Sequence, residues 1–579
     1  MRVARLICVL ACYWQAALSQ TAFFPLSQVK AGQRATGKTV FSGYKIEEFQ
    51  VEILGVLENL GPKQSLILAR LSGGPLETTG VLQGMSGSPV YIDGKLVGAV
   101  AMAFPFSKEP IAGIRPIQEM LSVDTAPASR PADLAAAAWR RGEAKNSSPA
   151  EERLVDIATP VSFGGFTRST LDYFAPQLRA LGLEPRQALS GGGRPEAAGA
   201  DTSVEPGSMI SVQLVAGDLS MGADGTVTHV DGNRIYAFGH RLLSAGEVRM
   251  PFAKSEVLAL LPNVNTSFKI SSARQWVGTI TQDRGTALAG QLGMRPAMMP
   301  LKISVTSGGR KFKYDVEVVY ERFLTPFLTQ VAIYSAIDAT ERGVGAATLR
   351  VQGQIDFQGK SEPVKIDNSY SAEFGAPAIA SMGATLPLMY AMQSGIKDLK
   401  IRGVSLAIDS IEGKNQCQID RVYPARGTYR PGETAEVFVA LAREDGAEIV
   451  RKVEYRIPIG APAGALYFTV ADGAFVNAAD ARQWTSAGAR SSTQLISLLN
   501  GLKRNNSAWV RVWRADQSYQ VRGEDLFSPP PSVALILGKA QGAIGNQPLA
   551  RSSRLAEFEV PFGDYVVSGS RTIQVEVKE

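Results

Sequence analysis

Short alternations of apolar and polar residues, separated by Gly, Pro and Asp-Gly turns, run through residues 21–125. That two-residue period predicts strands at 38–44, 47–54, 65–71, 89–92 and 96–103. Asp93-Gly94, between the last two, has the composition of a two-residue hairpin turn. A short helix over 116–121 closes the segment. From 124 to 205 the pattern changes. Residues 134–139 and 169–181 are helix-prone, whereas 190–206 hold Gly, Pro, Ala and polar residues with little to bury, the composition of a linker or exposed loop. Strand-like alternation returns over 209–319, with 226–230 and 234–238 flanking the turn Asp231-Gly232-Asn233. Phe327, Val331, Tyr334 and Ile337 recur at helical spacing and predict a helix over 326–341. A second helix over 376–392 lies between strands at 349–357 and 401–411. From about 415 onward the pattern is that of a β-sandwich, with a turn at 428–433, a strand at 435–441 and one helical insertion at 491–502. The divisions expected are therefore 1–19, 20–123, 124–206, 207–322, 323–414 and 415–579.

Composition supports this reading. A chain of 579 residues exceeds what one core can organise, so three or four domains are expected. The 57 Gly and 32 Pro, among short runs of Val, Ile and Thr, point to mostly β structure. Arg2 and Arg5 precede the apolar run from Leu6 to Trp14, and Ala17-Leu18-Ser19 supplies small residues for cleavage. This is the pattern of a secretory signal cleaved near Ser19-Gln20. A buried N-terminal helix is the plainer alternative, and a lipid anchor at Cys12 fits poorly because Leu10 is bulky. Cleavage would remove Cys8 and Cys12, leave Cys417 alone and lower the net charge from +6 to +4. A periplasmic or secreted protein of the bacterial envelope, stabilised by its cores and not by disulfides, is expected. The 60 basic and 54 acidic residues are spread evenly, so no nucleic-acid-binding face is expected. Later apolar segments are broken by Gly, Pro or charge, and no transmembrane span is expected after the signal.

The chemistry concentrates in Thr79-Gly80-Val81-Leu82-Gln83-Gly84-Met85-Ser86-Gly87-Ser88-Pro89, followed by a strand, a turn and a glycine-bearing strand. A nucleophilic serine needs backbone N–H groups aimed where an oxyanion develops, and flanking glycines permit the tight backbone that aims them. Gly84 and Ser86 stand at the spacing at which both amides can face one oxygen. An α/β-hydrolase elbow is excluded, because Ser88 stands where that motif needs Gly and no helix follows. A plain Gly/Ser turn in a β-barrel is the alternative. The chain holds only His229 and His240. His240 follows Gly239 at a strand end, where a ring can project into a cleft as general base, although a half-buried structural imidazole is the ordinary case. His229 is strand-interior and is assigned no role. Two His and one Cys make a zinc site unlikely to assemble, no phosphate-binding loop is present, and no cofactor is expected.

At these residues the chain resembles the SpoIVB serine-peptidase family, placed among chymotrypsin-like peptidases. The Gly80–Val100 run resembles its nucleophile segment and Gly225–His240 its histidine segment, with a looser likeness to about Thr306 that includes Gly278–Gly293. Together these cover about two-fifths of the chain, and no PDZ-like segment is legible. The resemblance implies two chymotrypsin-like β-barrel halves, which the residue pattern continues with an α+β segment and a C-terminal β-sandwich. It also implies a serine endopeptidase acting on protein or peptide, with Ser86 as nucleophile, His240 as base within hydrogen-bond reach of it, and the Gly84 and Ser86 amides as oxyanion hole. Two departures stand out. Here the serine half precedes the histidine half. The family's aspartate position is occupied by Leu71, with Ser72 and Glu77 nearby and Asp231 and Asp283 near the histidine. The competing expectation is a lapsed peptidase fold kept as an envelope binding module.

Overall fold

The computed structural model describes residues 22–124, 154–187 and 203–579, apart from breaks at 62–63, 105–106, 265, 297, 341–344, 361, 488–490, 517, 522–523, 528, 540–546 and 550–552. The signal segment expected at 1–19, the helix expected at 134–139 and most of the linker expected at 190–206 lie outside the described residues. Strand accounts for 54% and helix for 18%, so the mostly β expectation holds.

Six strands close into a ring: β1 (Arg34–Ser42), β2 (Lys45–Gly61), β3 (Gln64–Ser72), β4 (Pro89–Ile92), β5 (Lys95–Ala103) and β6 (Ile111–Pro116). Their order is β1-β2-β3-β6-β5-β4, and β4 returns to β1 through Thr36↔Tyr91 and Gly37↔Val90. Asp93 (φ 49°) and Gly94 (φ 75°) both take left-handed backbone between β4 and β5, the twist a two-residue hairpin needs. Alternate residues such as Val51, Ile53, Ile67, Leu71 and Val90 point inward and form an apolar core.

Next come β7 (Val155–Asp156), β8 (Thr159–Gly164), the helix Arg168–Ala180 and β9 (Leu183–Gln187). Thr167 caps that helix by accepting from the Thr170 amide. A second ring follows: β10 (Met209–Gly217), β11 (Ser220–Asp231), β12 (Arg234–Ala237), β13 (Gly246–Leu261), β14 (Phe268–Asp283) and β15 (Leu288–Leu292). It runs β10-β11-β12-β15-β14-β13 and closes where β13 pairs with β10. Counted from its own first strand, each ring has the same order. The turn at 231–233 is tighter than the sequence suggests, since Asp231 pairs directly with Arg234.

The second sheet continues beyond its ring. β8 and β9 extend it past β11. On the other side β16 (Met298–Ser307) and β17 (Arg310–Val319) are joined by β18 (Ala347–Phe357), β19 (Val364–Ala372) and β20 (Ile401–Glu412), making thirteen strands. Strands expected to form a segment apart thus share hydrogen bonds with the histidine-bearing region, β16 pairing in parallel with β20. The helices Leu324–Asp338 and Ala376–Gln393 pack into the same core. After 415, sheets of four and five strands enclose a separate core that includes Val437, Phe468 and Val575. Besides the expected helix, seen at Ser492–Asn500, this region carries Gly473–Ala487 and Pro531–Lys539.

The two rings are packed together. Leu96, Ala99, Ile117 and Met120 from the first meet Tyr236, Ala287 and Ala289 from the second. Burying each large aliphatic side chain there contributes about 1.5–3 kcal/mol. Backbone bridges Gly43↔Val257 and Gln83↔Phe268 stitch the rings on either side of the serine loop.

Candidate active site

Ser86 lies in the connection between the third and fourth strands of the first ring, and His240 lies in the corresponding connection of the second. The serine connection turns through Gly80 (φ 65°), Gly84 (φ 91°) and Gly87 (φ 93°). At Gly87 the requirement is doubled. A Cβ there would sit 2.0 Å from the Thr226 carbonyl oxygen and 2.5 Å from the Phe238 nitrogen. Within the loop, Met85 N donates to Leu82 O, Ser88 N to Met85 O and Gly87 N to Val100 O. The Gly84 and Ser86 amides donate to no acceptor among the described residues, and these are the two expected to face an oxyanion.

The loop's carbonyls are held from the other ring. Thr226 donates its amide to Ser86 O (2.8 Å) and its hydroxyl to Gly84 O (2.8 Å), while the Thr228 hydroxyl donates to Gly87 O (2.7 Å). One short stretch of β11 thus satisfies three carbonyls of the serine loop, those of Gly84, Ser86 and Gly87.

Residues 17–121 match the SpoIVB peptidase S55 family. The SpoIVB peptidase match contains the whole first ring, with Ser86 and its glycines, and ends before β7. It covers less than a fifth of the chain, and the histidine segment lies beyond it. No curated protein and no solved structure matches the chain.

The histidine turn meets the serine loop across Val100, whose carbonyl accepts from Gly87 N and lies 3.4 Å from where a Gly239 Cβ would stand. Phe238 adopts φ 70°, a costly region for a bulky residue, with its ring filling the space a Cβ on Gly225 would need. His240 Nδ1 donates to the Arg241 carbonyl (2.7 Å), because a carbonyl oxygen only accepts. The neutral ring therefore carries its proton on Nδ1 and keeps a lone pair on Nε2. Burial holds the imidazole below its usual pKa, while Asp156 and the Arg241 carbonyl act in the opposite direction.

Ser86 and His240 are both fully buried. Among the described residues, Ser86 Oγ and His240 Nε2 have no hydrogen-bond partner, so the Ser86–His240 hydrogen bond expected from the sequence is not made. Each such buried polar atom costs about 1–3 kcal/mol, and groups of this kind concentrate where function requires them.

None of the candidate acids is hydrogen-bonded to His240, although Asp283 acts on it through its charge. Asp283 accepts from the amides of Leu242, Leu243 and Ala245 and so braces the chain after His240; burial raises its pKa despite those bonds. Asp231 lies at the β11–β12 turn and acts on His229, whose ring packs between Phe23 and Tyr236. Glu77 is exposed in the first turn of Leu76–Thr79. None is hydrogen-bonded to His240 Nδ1, which the Arg241 carbonyl occupies. Sequence reasoning missed two groups around the site. Asp156 of β7 forms an ion pair with Arg241 (3.8 Å) and acts on His240 through its charge. Arg115 of β6 is buried and reaches the Gly239 carbonyl (3.4 Å) and Glu119 (3.3 Å). No spacing marks these residues, because strand pairing alone brings them near.

No described helix is long and apolar enough to cross a membrane. Among the described residues no group of His, Cys, Asp and Glu is arranged to hold a metal. Cys417 is free and buried.

Proposed function

We propose that the chain is an exported, SpoIVB-type serine endopeptidase of the bacterial periplasm or cell exterior. The observation that carries this reading is the docking of the serine loop onto Thr226 and Thr228, beside the turn that bears His240. Two rings of one strand order, each lending its third-to-fourth connection, also agree with the chymotrypsin-like layout that the resemblance implies. In this mechanism Ser86 Oγ attacks the scissile carbonyl, and His240 Nε2 takes the proton and returns it to the leaving amine. The Gly84 and Ser86 amides hold the oxyanion. The Arg241 carbonyl holds the tautomer, a task an aspartate performs in a triad. Because both side chains are buried, substrate reaches Ser86 only when the two loops part.

That burial also favours a second reading, a closed and lapsed peptidase fold retained as an envelope binding module. Incubation of the purified protein with a fluorophosphonate probe separates the two. The peptidase reading expects adduct mass on the tryptic peptide containing Ser86, and none in Ser86→Ala. Absence of labelling, together with absence of peptide turnover, favours the binding module.

A further inference from the structure

Beside the serine loop, the helix Arg168–Ala180 and β9 wall a cavity of about 600 Å³. Its apolar lining comes from Leu171, Ala175, Pro185 and Phe268, and three guanidinium groups and the Asp172 carboxylate also reach it. Two of these are neutralised nearby, Arg168 by Asp172 (3.8 Å) and Arg179 by Glu184 (3.1 Å). Arg186 is different. Its ring-facing side lies over Phe268 (4.5 Å to the centroid), its Nη2 donates to the neutral Gln83 amide (3.4 Å), and its enclosed Nε meets no acceptor. Among the described residues no carboxylate is ion-paired with it. Burial holds the Arg186 guanidinium below its usual pKa, with Glu184 opposing and Arg179 adding to the effect. A half-buried cation without a counter-charge at a cavity wall is costly unless an anion completes it.

The position of Gln83 ties this cavity to the peptidase reading. Gln83 N donates to Ser267 O and Lys269 N donates to Gln83 O, so the backbone of Gln83 is bridged to that of Phe268, which lines the cavity. Gln83 precedes Ser86 by three residues, which limits their separation to about 10 Å. The volume lies within the usual range for ligand sites, and a lining of mixed apolar and charged residues whose one cation without an ion pair is Arg186 suits a side chain that is aliphatic along its length and anionic at its tip.

We infer that this cavity is a recognition subsite for a carboxylate of the bound polypeptide, with Arg186 as its charge partner and Gln83 linking it to the serine loop. The inference rests on the reading of the chain as a peptidase for its biological meaning, but binding can be measured without turnover. The test uses the full-length mature protein carrying Ser86→Ala and fluorescein-labelled hexapeptides that differ only in Glu against Gln at one position, each with a free or an amidated C-terminus. Fluorescence anisotropy is expected to show the Glu peptide binding at least about tenfold more tightly than the Gln peptide, a typical worth for a charge-assisted contact. Preference for the free over the amidated terminus, with Glu and Gln alike, would identify a terminal carboxylate as the occupant. Arg186→Gln should erase the preference and Arg186→Lys should retain part of it, whereas Arg168→Gln should change it less than twofold. Should Arg186→Gln fail to fold, Arg186→Lys and the peptide pairs on the unmodified site still decide. Equal binding of all four peptides, or an undiminished preference in a folded Arg186→Gln protein, overturns the inference. Binding without hydrolysis by the unmutated chain would count against the peptidase reading alone, and hydrolysis without carboxylate preference against the subsite alone.

Discussion

The two rings share a strand order but anchor their functional connections in opposite ways. In the first ring the connection is long, turns on glycines, and leaves its carbonyls to be satisfied by Thr226 and Thr228 of the other ring. In the second the connection is short and self-supporting, with Asp283 of the same ring gathering three of its amides. Arg115 adds only one long contact from across the interface. The serine loop therefore depends on the rings being docked, and the histidine turn much less so. Burial of Ser86 is a consequence of that docking, and parting the rings would loosen the loop that has to act.

The largest effect should come from breaking the docking at its tightest point. Gly87→Ala places a methyl 2.0 Å from the Thr226 carbonyl on backbone at φ 93°. Gly80→Ala meets open space at φ 65° and serves as the control. Gly87→Ala is expected to destabilise by about 3 kcal/mol or more, through strain and lost inter-ring hydrogen bonds. Gly80→Ala should cost about 1 kcal/mol. Urea unfolding read by tryptophan fluorescence compares them, and equal losses would show that the close approach to Thr226 does not matter.

A pH effect should sharpen the same contrast. Lys269 of the second ring is buried, donates to the Thr39 hydroxyl of the first (2.7 Å), and is pulled by burial to a pKa of about 7. The unfolded chain, with a lysine near 10.4, binds more protons than the folded one between pH 7 and 10.4. Stability should therefore rise with pH across that window, the penalty being complete below pH 7 and on the order of a few kcal/mol. Lys269→Met should be the more stable protein near pH 6 and should lose most of this slope. Thermal unfolding from pH 6 to 10 checks it, and parallel curves for the two proteins would contradict it.

A smaller effect concerns the hydroxyls themselves. Ser86 Oγ and Ser88 Oγ are buried without partners. Ser86→Ala and Ser88→Ala should each stabilise the fold by up to about 1 kcal/mol, because an unsatisfied polar atom is removed. Loss of stability in either would mean that the hydroxyl is bonded through water.

Much of the first ring was legible in the sequence because its signals are local. The Asp93-Gly94 turn and the strand at 89–92 follow from residues next to one another, and the strained backbone of the serine loop is written in Gly84 and Gly87. The shared order of the rings was not legible, since it arises from pairings between distant strands such as β10 with β13 and β3 with β6. Arg115 and Asp156 escaped for the same reason. Neither lies in a strand expected from the sequence, and register alone carries each to the histidine turn. The strands at 347–412 were set apart because a helix precedes them, yet backbone pairing with β16 joins them to the second sheet. Nothing local marks Lys269, which is buried where it donates to Thr39 of the other ring.

The central claim is that Ser86 and His240, brought from equivalent connections of two rings, act as one unit. It is tested most directly by comparing kcat/KM for a peptide substrate across Ser86→Ala, His240→Ala and the double variant, in preparations free of other proteases. The account predicts that each single variant loses on the order of 10⁴-fold or more, and that the double variant loses no more than the worse single one. A His240→Ala protein that hydrolyses at the wild-type rate would contradict it.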